Sequence, residues 1–291
     1  MPSLRDIRRK IGSVKKTQQI TRAMQMVSAA KLQRAQERLL ASRPYSDKLA
    51  EVISGLALRA DPQQHSLLQR RDGPHTLVVT VTTDRGLCGA FNSNVLRMAT
   101  AFVGQHPDWT SMLVVVGRKG RDFLRRRPQF QVKSQHVDVF GRQVSFGVAQ
   151  DLARELIDAY TAPVEAVDRV LLMYNEFVSA LRQRPVMRTL LPIPLPPTAS
   201  EDVVIDYLYE PSVNGILREL LPRYLEILLF RALLETSAAE QAARMTAMAA
   251  ATDNAGELIR QLTLFYNKTR QAAITKEILE VVSGAEALKG T

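Results

Sequence analysis

Two short glycine-containing turns are the first places in this 291-residue chain where chemistry is conceivable. Asp84-Arg85-Gly86-Leu87-Cys88-Gly89 and Gly117-Arg118-Lys119-Gly120 each follow an apolar run rich in valine. A turn of this kind, between a strand and a helix, is where backbone N–H groups gather on a phosphate. Neither carries G-x-G-x-x-G or G-x-x-x-x-G-K-[ST], so the spacing that brings a backbone onto a nucleotide's phosphates is missing. Cys88 raises a second chemistry, since a thiol beside a helix N-terminus can ionise and act as a nucleophile. It then needs a base or an anion-binding arginine close by, and the next six residues, GAFNSN, supply neither. A small residue buried at a tight turn accounts for it instead. His65, His75, His106 and His136 are scattered, and no pair has metal-ligand spacing. Arg125-Arg126-Arg127 lacks aromatic interleaving and reads as a surface patch. No catalytic residue, cofactor site or metal site is therefore expected.

The elements that carry these turns alternate. Residues 76–83, 111–116, 130–140 and 169–177 read as strands, being apolar and β-branched. Residues 91–103, 121–127 and 145–160 read as helices between them. Residues 185–197 suit an edge strand, where proline is tolerated. Alternation of this kind implies an open, mostly parallel, Rossmann-like α/β sheet over residues 75–197.

On either side of that domain lies a long helix. Residues 208–288 form one, with Pro222 near the helical start and no proline after it, and are rich in Ala, Leu, Glu, Gln, Arg and Met. Residues 1–59 form the other, beginning at Ser3 as N-cap and bent at Pro44. Stepping by three and four from Leu4 gives Ile7, Ile11, Val14, Gln18, Thr21, Gln25, Ser28, Leu32, Ala35, Leu39, Ser42, Ser46, Leu49, Ile53 and Leu56 without a slip. The stripe is apolar at both ends and small or polar in its middle, a coiled-coil pattern with a weakened centre. Helices this long need a partner along their length, and each is expected to be the other's partner in a coiled coil. Past Ala272 the C-terminal helix changes character. Ile274, Ile278 and Val281 form one apolar face, and Leu279 and Val282 another. A helix apolar on more than one face must be enclosed, which predicts an apolar sleeve supplied by another protein.

The formal charge is +10, and the first forty residues hold ten bases against two acids, so +8 of it lies on the N-terminal helix. A basic rod of this kind attracts an acidic protein, an anionic membrane surface or nucleic acid. A basic coiled-coil scaffold that binds nucleic acid is the alternative function, although it leaves the apolar tail unexplained. One cysteine excludes an internal disulfide framework and fits a reducing compartment. No apolar run approaches a membrane span, and no secretory signal or transit peptide is expected.

Six segments resemble one family. They are IRRKIGSVKKTQQITRAMQMVSAAK (7–31), ASRPY (41–45), TDRGLCGAFN (83–92), YLYEPS (207–212), EQAARMTAMAAATDNA (240–255) and YNKTRQAAITKEILEVVSGAEAL (266–288). Long, in order and spread over nearly the whole chain, they are similar to the γ subunit of F-type ATP synthases. The resemblance implies a non-catalytic rotor shaft whose two terminal helices form an antiparallel coiled coil. In that family proton flow turns a c-subunit membrane ring, the ring turns γ, and γ drives ATP synthesis in a head of three α and three β subunits. An ε subunit accompanies it. No nucleic acid and no small-molecule substrate of its own are implied. The setting implied is the cytoplasmic side of a bacterial inner membrane, as a peripheral protein. The resemblance also implies residue roles. Arg8, Arg9 and Lys10 would face acidic lever loops of the β subunits, and Met24 would slide past one. Arg270 and Gln271 match a pair that bonds a β catch loop. Arg244 and Thr275 match further shaft positions. Ile274, Ile278, Leu279, Val281 and Val282 would turn in the apolar bearing. Tyr207, Tyr209 and Glu210 would form the foot on the membrane ring.

Overall fold

Ser3 starts the first helix as the sequence predicts. Its hydroxyl accepts from the Asp6 amide at 3.2 Å, while its own backbone N–H and hydroxyl donate back to the Asp6 carboxylate. This reciprocal cap satisfies amides that the first turn cannot bond internally. The computed structural model describes residues 3–57, 65–141, 143–194 and 212–289. Helix α1 (Leu4–Ala57) continues through Pro44. Strand β1 (His75–Val81) follows, then α2 (Phe91–Gln105), β2 (Thr110–Val116), α3 (Arg118–Leu124) and β3 (Gln131–His136). Helix α4 (Phe146–Thr161), strands β4 (Arg169–Phe177) and β5 (Gln183–Leu191), and helix α5 (Val213–Lys289) complete the chain. Serines cap two of these helices. Ser145 accepts from the Gly147 amide ahead of α4, and Ser212 from the Gly215 amide ahead of α5.

The chain divides into two compact units, residues 28–244 and residues 1–27 with 245–291. In the larger unit the sheet order is β3-β2-β1-β4-β5, with β1, β2, β3 and β4 parallel and β5 antiparallel to β4. The parallel strands are buried on both faces and so read as continuous apolar runs. One face, with Leu77, Val79, Val114 and Leu172, packs on α4 and on segments of α1 and α5, including Ile53, Leu56, Leu217 and Leu221. On the other face Val78, Leu171 and Met173 meet Val95, Ala99 and Phe102 of α2. Leu113 and Val115 meet Leu124 of α3 there as well. Three elements differ from the sequence expectation. Strand β3 stops at His136, short of residue 140, and Asp138 beyond it has a positive φ. Strand β5 begins at Gln183, because a tight turn between Val178 and Arg182 folds it straight back on β4, and it ends at Leu191; residues 195–197 of the expected strand lie outside the described residues. Helix α3 begins at Arg118, because only Gly117, at φ 93°, forms the turn. A Cβ at Gly117 would stand 2.3 Å from the Thr82 carbonyl oxygen, so both conformation and space require glycine.

In the smaller unit, α1 and α5 run antiparallel. The Thr21 and Thr252 hydroxyls lie 2.8 Å apart, and the Gln18 amide donates to the Thr252 carbonyl at 3.4 Å. The predicted stripe matches the packing. Every stripe residue from Leu4 to Leu56 is buried or half-buried, and most of the residues between are exposed. On α5 the covered positions include Met248, Thr252, Ala255, Ile259, Leu262, Tyr266, Thr269 and Ala273, again in steps of four and three. Beyond Ala273 every described side chain of α5 is exposed.

Candidate partner-binding surfaces

The turns at the C-terminal edge of the sheet are where an open α/β fold would hold a ligand. Here the amides that a phosphate would use are taken by the end of β1. Asp84 Oδ1 accepts from the Arg118 amide at 3.0 Å, the Thr83 carbonyl from Lys119 at 3.0 Å, and Thr82 Oγ1 from Gly120 at 2.8 Å. Asp84 also accepts from the Asp138 and Phe140 amides, so one carboxylate ties together the loops that leave β1, β2 and β3. A Cβ at Gly120 would meet Val115 and Thr82, which keeps this junction closed.

The 84–89 turn is closed in another way. Cys88 and Phe91 are buried against Ala239 and Ala243 of α5, with Phe177 alongside. Burial pushes the Cys88 thiol upward, against a smaller opposing pull from Arg244, which suits a packed thiol and not a nucleophile. Arg244 is itself buried. Its guanidinium donates to the Gly86 carbonyl at 3.2 and 3.1 Å and pairs with Glu240 one turn back on α5. Burial raises the Glu240 carboxyl above its ordinary range, and Arg244 offsets part of that rise.

Leu87 sits at the tip of this turn in the left-handed region, at φ 63°. For a non-glycine residue that conformation costs about 1–2 kcal/mol. The side chain is 60% exposed.

The residues expected to meet partners fall into three groups. Arg8, Arg9, Lys10, Arg270, Gln271 and Thr275 are exposed, and Met24 is half-buried; all belong to the smaller unit. The Thr275 hydroxyl donates to the Gln271 carbonyl of its own helix. The five apolar tip residues are exposed in this chain, from 47% at Ile274 to 72% at Val281. Arg244 belongs to the larger unit and faces inward. Tyr207, Tyr209 and Glu210 lie outside the described residues.

A family model described as ATP synthase matches residues 3–288. The ATP synthase gamma chain of Anaeromyxobacter sp. (strain Fw109-5) is 47% identical over 294 residues, covering 99% of this chain and 100% of the relative. The chain belongs to the ATP synthase gamma-chain family. The gamma chain of Geobacter metallireducens (strain ATCC 53774 / DSM 7210 / GS-15) is likewise 47% identical, with both chains covered completely. Among solved structures, a chain of the central stalk and c-ring of Tetrahymena thermophila mitochondrial ATP synthase superposes with TM-score 0.63 at 27% identity, covering 80% of this chain and 99% of that one. A chain of the Euglena gracilis mitochondrial ATP synthase shares the fold, with TM-score 0.68 at 21% identity over 98% of this chain and 94% of that one. The gamma-chain family is thus reached over the full length, through both terminal helices and the α/β unit. Sequence reasoning missed Glu240 and the left-handed Leu87. Glu240 stands four positions before Arg244, a helical ion-pair spacing that could have pointed to it, whereas the backbone angle of Leu87 leaves no local pattern.

Proposed function

We propose that this chain is the non-catalytic rotor shaft of an F-type ATP synthase. It couples proton-driven rotation of a c-subunit membrane ring to ATP synthesis at α and β subunits. The observation that carries this reading is full-length membership of the gamma-chain family at 47% identity. One feature supports it in a specific place: the last turns of α5 carry five apolar residues that stay exposed among the described residues. Non-directional apolar contact resists turning less than paired polar groups would, which suits a tip that rotates in a sleeve.

The proposed partners are three α and three β subunits, an ε subunit and the c-ring. Within the smaller unit, Arg8, Arg9 and Lys10 attract acidic loops of the β subunits through exposed charges. Such contacts are weak and screened, so they can break at every step. Met24 offers a polarisable thioether that a passing loop can slide over. Arg270 and Gln271 present donors for a β catch loop, and Thr275 lies one turn further on. Arg244 acts from inside the larger unit, through the turn it holds. Tyr207, Tyr209 and Glu210 are assigned to the foot on the ring. No described helix is long and apolar enough to cross a membrane. Attachment to a bacterial inner membrane is therefore proposed to be peripheral, on the cytoplasmic side, through the ring.

The test is a native pull-down of the tagged chain with ATPase assay. Two nucleotide-binding proteins at three copies each per chain, with hydrolysis, are expected. Nucleic acid released by moderate salt, without ATPase subunits, would sink the rotor reading and favour the basic scaffold. Within an assembled complex, Arg270→Ala with Gln271→Ala should lower rotation-coupled hydrolysis. Charge reversal at Arg8, Arg9 and Lys10 should weaken assembly and flatten its salt dependence.

A further inference from the structure

Three arginines stacked on aromatic rings gather on one edge of the sheet. The guanidinium of Arg71 lies 4.7 Å from the centre of the Tyr160 ring, that of Arg127 3.6 Å from Phe123, and that of Arg169 4.0 Å from Trp109. Arg71 precedes β1, Arg127 precedes β3, and Arg169 opens β4, so all three lie where parallel strands begin, opposite the 84–89 turn. Arg125 and Arg126, also ahead of β3, are exposed. Strands in a sheet lie about 4.8 Å apart, so the four from β3 to β4 place these groups within roughly 15 Å.

Each stacked guanidinium bonds a backbone carbonyl. Arg71 donates to Tyr160 at 2.7 Å, Arg127 to Phe123 at 3.1 Å and Arg169 to Gly73 at 2.8 Å. Ring and carbonyl hold the charge in place without neutralising it. Among the described residues, none of the five arginines has a carboxylate within ion-pair distance. On the same edge Asp72 pairs with Arg70. Asp108 and Glu165, both exposed, and Asp168, which accepts from the His75 amide, lack an arginine or lysine partner. Five unpaired cations thus outnumber three carboxylates. A guanidinium fixed in this way suits a phosphate, whose oxygens accept from its planar fork.

Two observations favour lipid over nucleic acid as the source of that phosphate. The rings on this edge are covered by arginines, so they are not free to stack on bases. Val164, on the loop into β4, is 76% exposed, and the half-buried Trp109 stands at the same edge. An apolar side chain and an indole among arginines fit the boundary between headgroups and acyl chains. Helix α5 packs on the sheet from Leu217 to Leu233 before Arg244 meets Gly86 at the opposite edge, so its N-terminal end points toward this one. The segment just before α5 in sequence, residues 207–210, is the one assigned to the membrane ring.

We propose that this edge is a lipid-facing surface, in which Arg71, Arg125, Arg126, Arg127 and Arg169 meet the phosphates of anionic phospholipid headgroups and Val164 reaches toward the acyl boundary. The proposal rests on the rotor reading in placing those lipids around the ring. Each contact is weak, and neighbouring headgroups offer the same phosphate, so the surface can slide as the shaft turns.

Trp109, the single tryptophan, reports the contact without a label. The full chain is mixed with vesicles of phosphatidylglycerol and phosphatidylcholine that carry a dansyl group on some headgroups. Energy transfer from Trp109 to the dye is expected, falling as salt rises and absent with phosphatidylcholine alone. Arg125→Ala with Arg126→Ala changes only exposed side chains, so it should keep the native Tm and weaken vesicle binding by about tenfold or more. Charge reversal at Arg8, Arg9 and Lys10 should weaken the Trp109 signal less than that pair does. An unchanged signal in Arg125→Ala with Arg126→Ala, or a loss seen only on reversal at Arg8, Arg9 and Lys10, would overturn the lipid surface and leave the rotor reading standing. Binding to duplex DNA that is tighter than to vesicles, and lost in the same double variant, would overturn it in favour of nucleic acid. Vesicle contact through Arg125 and Arg126 by a chain that recovers no ATPase subunits would keep the lipid surface and sink the rotor reading.

Discussion

In residues 28–244 the strands hold Leu77, Val78, Val79, Leu113 and Val114 at zero exposure, with helices covering both faces. In residues 1–27 with 245–291, the only described side chains less than a tenth exposed are Ile7, Thr21, Met248 and Ala255. The first arrangement is a core that excludes water by itself. The second is a single seam between two helices, half-buried along most of its length and polar at Gln18, Thr21 and Thr252. A seam of this kind contributes less apolar burial per residue, so its stability is expected to depend on surfaces outside the chain. The groups proposed for partner contact at Arg8–Lys10, the half-buried Met24 and the apolar tip of α5 all lie in that weaker unit.

The largest expected effect tests this contrast directly. Leu156, fully buried in the sheet-facing core, should cost about 3 kcal/mol when replaced by alanine, within the roughly 2–5 kcal/mol of buried leucines. Ile7→Ala in the seam should cost about 2 kcal/mol or less, because a two-helix groove collapses more readily around the gap. Urea unfolding followed by the single tryptophan, Trp109, reports the α/β unit, while far-UV circular dichroism is dominated by the long helices. Leu156→Ala should shift the tryptophan transition; Ile7→Ala should shift only the helical signal. Coincident transitions in both variants would break the contrast and make the chain one cooperative body.

Much of the layout of helices and strands was legible in the sequence, for a physical reason. A heptad stripe and a β-branched run are local patterns, and burial follows them, so Leu4 to Leu56 and the strand 169–177 were placed residue by residue. The start of α3 was misplaced, because Gly117-Arg118-Lys119-Gly120 reads as a loop until the carboxylate of Asp84 is seen to hold its first amide. The site was legible only in part. Exposure of the 274–282 tip follows from periodicity, since the stripe on the partner helix runs out. The inward turn of Arg244 does not, because its acceptor is the carbonyl of Gly86, 158 positions away.

Arg244 sharpens the comparison next, since it is a charge buried in the dense unit. Arg244→Ala leaves Glu240 without its cation in a dry site, and removing one partner of a buried pair costs about 3 kcal/mol. The cost should depend on pH, with a definite sign. The folded-state pKa of Glu240 lies above its unfolded value, so its protonated form is favoured by folding. That contribution is complete below the ordinary carboxylate range and is lost as pH rises through the raised value. Without Arg244 the rise is larger, so the penalty should be smaller at about pH 5 than at about pH 8. Chemical denaturation at the two pH values reads the difference. A penalty equal at both would mean that Glu240 finds water or another cation once Arg244 is gone.

The smallest effect is expected at the polar centre of the seam. Thr21 and Thr252 face each other at 2.8 Å, but each hydroxyl also lies within donating distance of its own helix, at the Gln18 and Met248 carbonyls. Two hydroxyl protons serve three contacts, so one contact is always unfilled. The net gain from the pair should therefore fall near or below the roughly 1 kcal/mol of an ordinary hydrogen bond. Replacing both residues by valine keeps the shape, adds apolar contact and removes both donors together, a change that is often neutral or stabilising. The double variant should unfold within about 1 kcal/mol of the native chain, on the stable side if it moves at all. A loss of about 2 kcal/mol or more would mean that the hydroxyls fix the register of the two helices, since sliding them would then cost a specific bond. If the chain alone is unchanged while hydrolysis by the assembled complex falls, the polar centre exists for contacts made from outside. That outcome would tie the weakness of the seam to the proposed work of the shaft, because a helix pair sealed by apolar side chains has nothing at its middle for a passing loop to bond.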